Sequence, residues 1–329
     1  MAYALCFTSA LEYWNAHANS PHSPSRTPSA CRRATASFAS SPVEKPSRND
    51  VDVCRALLGN RPIHIAVTNP KARIERPEFI CHSFSSSLPP EGVSKIAQGV
   101  YASTPEFAFV QLGTRVPFAQ LVQIGFEICG SYCINDRGTR TDRPPLSTAK
   151  KLRDFAQSTS FPGCASAARA AQYVIDGSAS PRETQLAMLL SLPMKYGGYG
   201  LPRPQLNYRI QLASKAGIIG KDTLICDLFW PDARLAVEYD SDEFHAMPLA
   251  ISRDSQRRLA LEVQGITCVN VANMRLANFA AFDETALGIA RLLGKRIRRD
   301  KRSFIAKNRT LREAIGISTA NFDQDMYSQ

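Results

Sequence analysis

At 329 residues, 44% of them hydrophobic and 21% charged, the chain is long enough for two domains that each bury a core. Its apolar runs fall far short of the roughly 20 residues a membrane helix needs, and no basic flank precedes an apolar stretch near the start, so no membrane association and a cytoplasmic location are expected. Forty Lys and Arg against 29 Asp and Glu leave a net charge of +11, which favours acidic partners, nucleic acid first, because each phosphate neutralised releases counterions.

In chain order, a short apolar-aromatic piece around Ser9-Ala10-Leu11-Glu12-Tyr13-Trp14 is long enough to dock as one or two helical turns. From Asn19 to Asp50 the chain is crowded with Ser, Pro, Thr and Arg, offers little apolar surface against chain entropy, and is expected to be disordered. Alternation predicts strands at Pro62–Val67, Phe79–Phe84 and Gly99–Tyr101. Thr104-Pro105-Glu106 starts a helix with Pro at the first helical position, and a second helix from Pro117 carries Leu121, Ile124 and Ile128. The polar stretch Asn135–Pro145 reads as a loop, followed by helices at Ser147–Gln157 and Ala165–Asp176. The nine cysteines are odd in number and form no C-x-x-C pair, which points to reduced thiols rather than a disulfide framework or a zinc knuckle.

Ser180-Pro181-Arg182-Glu183 opens the next helix, with Ser180 as N-cap and apolar residues through Leu192. Gly197-Gly198-Tyr199-Gly200 with Pro202 and Pro204 predicts a turn-rich loop. Two strands follow, Leu224–Trp230 and Leu235–Asp240, joined through Pro231-Asp232-Ala233-Arg234 as a tight hairpin. A helix at Ser252–Gln264 is stopped by Gly265 and leads to a strand at Ile266–Val271. A last helix at Glu284–Leu293 continues into the basic run Gly294–Arg302.

The hairpin carries the chemistry. Side chains alternate faces along a strand, so Glu238 and Asp240 project together, and the turn brings Asp227 toward Glu238. Carboxylates so close repel one another, and a bound cation relieves the repulsion. Hard oxygen donors with open positions suit Mg2+ or Mn2+, which activate water and stabilise charge on a phosphate. The alternative is an ordinary hairpin whose acids face solvent or pair with Arg or Lys across the strand. His245, five residues beyond Asp240, is placed either to move protons near the same site or to be a plain loop histidine, and Asp242 and Glu243 read as solvated loop acids. Glu183 completes a capping box with Ser180, which accounts for it without catalysis. Arg253 and Arg257, four residues apart on one helix face, suit either a phosphate or surface pairing. Arg296, Arg298 and Arg299 belong to a run of ten Lys or Arg from Arg291 to Arg312, which reads as a solvated face or as a track for a phosphate backbone.

The ordered string Asp227-Leu228-Phe229-Trp230-Pro231, Leu235-Ala236-Val237-Glu238-Tyr239-Asp240, His245, Arg253-Asp254, Arg257-Arg258-x-x-Leu261 and Gly265-Ile266 resembles the endonuclease-like domain related to very-short-patch-repair endonucleases, in the restriction-endonuclease-like PD-(D/E)XK superfamily. The match covers about residues 180–299. The resemblance implies Mg2+-dependent cleavage of phosphodiester bonds, with Glu183 as the helix glutamate, Asp227 as the strand aspartate, Glu238 and Asp240 as the acid-x-acid pair and His245 in the following loop. The sequence departs from the pattern at Cys226, where the superfamily has proline, at Asp240, where most members have lysine, and in a loop to His245 that is one residue longer. Upstream, Ile63-His64-Ile65-Ala66-Val67, His82, Leu88-Pro89 and Tyr101–Glu106 resemble abortive-infection antitoxin-type proteins, which implies a toxin–antitoxin or phage-defence setting and a protein partner.

Together these readings predict an α/β protein with a mostly disordered segment over 1–55, a smaller α+β regulatory or interaction domain over 56–177, a restriction-endonuclease-like core of αβββαβ type over 178–312, and a tail over 313–329. The expected activity is that of a metal-dependent DNA endonuclease, in phage defence or DNA repair. The alternative is a catalytically inactive regulator that binds nucleic acid, and a third reading makes the chain a protein-interaction module of a defence system.

Overall fold

The structure is a computed structural model that describes residues 2–21, 23–41, 54–55, 58, 62–73, 75–84, 87–135, 138–212, 223–240 and 248–319, with only the backbone described over 248–254. It divides into two compact units, Met1–Val174 and Ile175–Gln329. Both mix helices with sheets, and among the described residues no helix is long and apolar enough to cross a membrane.

In the first unit, β1 (Tyr3–Leu5) is fully buried and lies at the centre of a five-stranded sheet. It pairs antiparallel with β2 (Ile63–Val67) and parallel with β5 (Val100–Ser103), while β3 (Phe79–Ser83) and β4 (Val93–Ala97) form the edges. The apolar-aromatic opening is a helix of three turns, α1 (Phe7–His17), which buries Phe7, Ala10, Tyr13 and Trp14. The indole of Trp14 donates to the Ser103 carbonyl at 2.7 Å and anchors the helix to β5.

The expectation of disorder from Asn19 to Asp50 is corrected over its middle part, where α2 (Pro28–Ala39) forms. Thr27 caps it by accepting from the Ala30 amide, and Pro28 stands at its first turn. Cys31, Ala34, Thr35 and Phe38 are its buried face, at i, i+3, i+4 and i+7. That stripe is thin in a stretch crowded with Ser, Pro, Thr and Arg, so composition hid it while periodicity carried it.

Helices α3 (Pro105–Leu112) and α4 (Phe118–Cys129) follow as predicted, Thr104 capping the first. The supposed loop after Asn135 holds one arm of a small hairpin, β6 (Tyr132–Ile134) with β7 (Arg140–Asp142). Buried Arg143 fastens its base, donating to the Asn15 side chain at 2.7 Å and to the Glu127 and Gly130 carbonyls. Helices α5 (Ala149–Ser158) and α6 (Cys164–Ala171) complete the unit.

His64 and His82 meet on the same face of β2 and β3, Nδ1 to Nε2 at 2.9 Å, with the Phe7 ring against His82. Burial first, then His64, Arg115 and Arg73, lower His82 from 6.5 to about 4, and burial and Arg115 lower His64. A histidine depressed in the folded state holds fewer protons than the unfolded chain, so its stabilisation is complete above 6.5 and is lost as pH falls toward 4. Urea melts across that window should therefore show a steeper loss in the wild type than in His82→Gln, and parallel losses would contradict this account.

In the second unit, α7 (Pro181–Ser191) precedes β8 (Gln205–Gln211), β9 (Thr223–Trp230) and β10 (Leu235–Asp240). Next come α8 (Pro248–Val263) and β11 (Thr267–Ala272), which gives the element order αβββαβ. The sheet order is β11-β10-β9-β8; β8, β9 and β10 are antiparallel in turn and β11 lies parallel to β10. Ile210, Leu224, Cys226, Ala236, Ala260, Leu261 and Ile266 form the core beneath α8.

The last helix expected at Glu284–Leu293 is α10 (Phe279–Leu292), but it does not continue into the basic run; α9 (Asn273–Ala277) precedes it and α11 (Lys301–Ala314) follows. Gly294 at φ 65° ends α10, a conformation open to glycine, and Asp300 restarts the chain as an N-cap by accepting from the Ser303 amide at 2.9 Å. The end of the basic run therefore faces inward in part: Arg312 is wholly buried, donating to Asn308 and to the Leu276 carbonyl, and burial lowers it to about 10.

Candidate functional site

The acids gather where the sheet of the second unit forks. β9 and β10 pair from Trp230–Leu235 through Leu228–Val237, where the ladder stops, although both strands run on. Beyond that point β9 stays with β8 out to Thr223–Gln211, and β10 stays with β11 out to Asp240–Ala272. At the parting, the Tyr239 amide donates at 2.8 Å to Oδ2 of Asp227. A side-chain carboxylate thus takes a backbone donor that the ladder no longer satisfies.

Two further carboxylates act on Asp227. Burial first, then Glu238, then Glu183 push its carboxyl up to about 7, against the Tyr239 amide and Arg257, which pull it down. Glu183 arrives from the first turn of α7, where its amide donates to Oγ of the N-cap Ser180 at 3.2 Å. Its Oε2 accepts from the Ala179 amide at 2.8 Å, one residue before the expected Ser180, and from Nδ2 of Asn207 at 2.6 Å. Asn207 stands on β8 between the pairs Leu206–Leu228 and Tyr208–Cys226, hence beside Asp227. Its φ of 48° is one that asparagine tolerates better than most residues, and it lets the side chain reach both Glu183 and the Gly177 carbonyl.

Glu238 is held from α8. Nη2 of Arg257 donates to Oε2 of Glu238 at 2.7 Å and also to the Ile225 carbonyl on β9, so one guanidinium spans both branches of the fork. The other oxygen, Oε1, is buried and meets no nitrogen or oxygen donor among the described residues. Neighbouring thiols are kept protonated: burial and Glu238 raise Cys226 strongly and Cys268 to about 11. A cavity of about 100 Å³ opens beside the pair, lined among others by Glu238, Asp240, Arg257, Arg258 and Asn270.

Of the residues singled out in the sequence, the fork brings together Asp227, Glu238 and Glu183. Asp240 lies two residues along β10, on the cavity beside Glu238. Among the described residues no group of three or more Cys, His, Asp or Glu side chains is arranged to hold a metal ion. His245, Asp242 and Glu243 lie outside the described residues, as does the side chain of Arg253. Arg296 and Arg298 are exposed between α10 and α11, whereas Arg299 is turned inward, with both Nη atoms at 2.5 Å from the Asp283 carboxylate. Arg257, expected with Arg253 to suit a phosphate or a surface ion pair, pairs with Glu238 at the fork.

Sequence reasoning missed β8, and with it Asn207, although Leu206, Tyr208 and Ile210 alternate cleanly with polar residues. Asn270 was also missed; it pairs with Glu238 across the parallel β10–β11 ladder, a neighbour that only the fold reveals.

No family model matches the chain, and no solved structure matches it. Two proteins of Mycobacterium tuberculosis are similar over a short stretch: uncharacterized protein MT2308 of strain CDC 1551 / Oshkosh and uncharacterized protein Rv2248 of strain ATCC 25618 / H37Rv. Each is 40% identical over 73 residues, 22% of this chain and 25% of the relative, so the match spans a quarter of the length of these curated proteins.

Proposed function

We propose that the second unit is a restriction-endonuclease-like domain that acts on the phosphodiester backbone of DNA, with Asp227 and Glu238 as ligands of a Mg2+ or Mn2+ ion and Glu183 behind them. The observation that carries this reading is the gathering of the Asp227, Glu238 and Glu183 carboxylates at the strand fork, where burial first and then the charges of Glu238 and Glu183 push the Asp227 carboxyl up to about 7. Such mutual strain is costly for stability alone and is commoner at functional sites. The donors are of the kind a hard divalent cation takes, carboxylate oxygens with the buried Oε1 of Glu238 meeting no nitrogen or oxygen donor among the described residues, although only two of them are proposed as ligands and no group of three is arranged for a metal there. A bound ion of this kind supplies an activated water and charge stabilisation at phosphorus.

The chain's own residues would do the rest. Asp227, fixed through the Tyr239 amide, holds one branch of the fork in register with the other. Asn207 keeps Glu183 aimed at the same region. Exposed Arg296 and Arg298 offer cationic contacts to a nucleic-acid backbone. The test is nicking of supercoiled plasmid by the full chain with Mg2+ or Mn2+ against a chelator control. An absence of cleavage across single-stranded and double-stranded DNA with either ion would sink the reading.

A second reading, a regulator that binds nucleic acid without cutting it, is favoured by the Arg257–Glu238 pair, which already neutralises one proposed ligand. It expects retention on DNA in the presence of chelator, weakening steeply as salt rises.

A further inference from the structure

Arg257 is in an unusual position for a helix arginine. Its Nη2 reaches a backbone carbonyl on one branch of the fork, that of Ile225, and a carboxylate oxygen on the other, Oε2 of Glu238. The pair is partly shielded, with side-chain exposures of 33% for Arg257 and 13% for Glu238, so the guanidinium is the charge that offsets Glu238. Arginine and carboxylate commonly meet through two parallel hydrogen bonds. Here Arg257 engages Glu238 through Oε2, while the buried Oε1 meets no nitrogen or oxygen donor among the described residues, the Cys226 thiol lying against the same carboxylate. A buried carboxylate oxygen faced by at most a weak thiol donor is costly to leave so, and is open to a cation. The adjoining cavity, also lined by Arg257 and Asp240, gives a small ligand room to arrive and the arginine room to withdraw.

We infer that Arg257 is a displaceable internal counter-ion: it holds Glu238 and ties the two branches together until a divalent cation takes Glu238 from it. This rests on the reading of Asp227 and Glu238 as cation ligands. Two cations cannot both neutralise one carboxylate without repelling each other, so guanidinium and metal ion compete. Each must weaken the other's hold by the same factor.

The experiment is Mn2+ titration of the full-length protein, followed by calorimetry and by thermal melting, in the wild type, Arg257→Gln, Arg257→Lys and Glu238→Gln. Arg257→Gln is expected to melt lower than wild type without metal, to bind Mn2+ about tenfold more tightly, and to gain more in melting temperature from it. A residue that merely supported the fold would lower the melting temperature and leave Mn2+ affinity where it was. Arg257→Lys keeps the charge but has no planar fork to span Glu238 and Ile225, so its affinity should fall between the two. Mn2+ affinity that is unchanged or weaker in Arg257→Gln overturns the inference, and if that variant does not fold, equal affinity in Arg257→Lys and wild type overturns it. Glu238→Gln separates the layers: Mn2+ binding that is indifferent to this change, or absent from every variant, removes the cation-site reading and the inference with it. Binding lost in Glu238→Gln but unaltered at Arg257 removes the inference alone.

Discussion

Asp227→Asn is expected to abolish divalent-dependent cleavage of DNA, a loss of about 100-fold or more, while leaving the protein as stable as the wild type or more so. The two halves have separate origins. Asparagine retains an oxygen that can accept from the Tyr239 amide, so the branch stays fixed, yet it gives up the anionic oxygen on which a hard cation depends. It also removes a charge that Glu238, Glu183 and burial all disfavour. Glu238→Gln should lose cleavage as fully but should lower stability, because Arg257 would then keep a half-buried charge without its anion. Opposite shifts in melting temperature with a common loss of nicking would tie both effects to one site. Wild-type cleavage by Asp227→Asn would place any activity elsewhere.

The largest effect on stability should come from Asp283→Ala, about 3 kcal/mol of destabilisation. The Asp283 carboxylate receives both Nη atoms of Arg299 at 2.5 Å and the Tyr199 hydroxyl at 2.8 Å, in a place where the side chains of Arg299 and Asp283 are only 12% and 16% exposed. Its charge also supports the buried Arg312 guanidinium. Cutting the side chain back leaves two guanidinium groups and a phenol without their common anion, among the rings of Phe282 and Phe304. Urea unfolding of Asp283→Ala against wild type measures this directly, and a difference below about 1 kcal/mol, the scale of an exposed pair, would show the network to be peripheral.

The sequence made much of the second unit legible because its signals are local. Ser180 and Glu183 announce a capped helix, Pro231–Arg234 a hairpin, and Gly265 a stop, and each stands where its own chemistry put it. The carboxylates at 227 and 238 could likewise be brought together by counting along a hairpin. What was not legible depends on partners distant in the chain. Nothing near Arg257 indicates that it turns inward to Ile225 and Glu238, and nothing near Arg299 announces Asp283. Charge runs are therefore poor guides to surfaces: within a single basic stretch, Arg296 and Arg298 meet solvent while Arg299 and Arg312 are enclosed. The helix over Pro28–Ala39 is the converse case, a sparse apolar stripe made sufficient by a waiting sheet.

The place of Tyr3–Leu5 between β2 and β5 governs the order in which the first unit can be built. The two neighbours of this strand lie about 60 and about 100 positions further along the chain, so neither ladder can form from local contacts. Until both neighbours are in place, this buried apolar segment lacks at least one flanking strand and is open to wrong pairing.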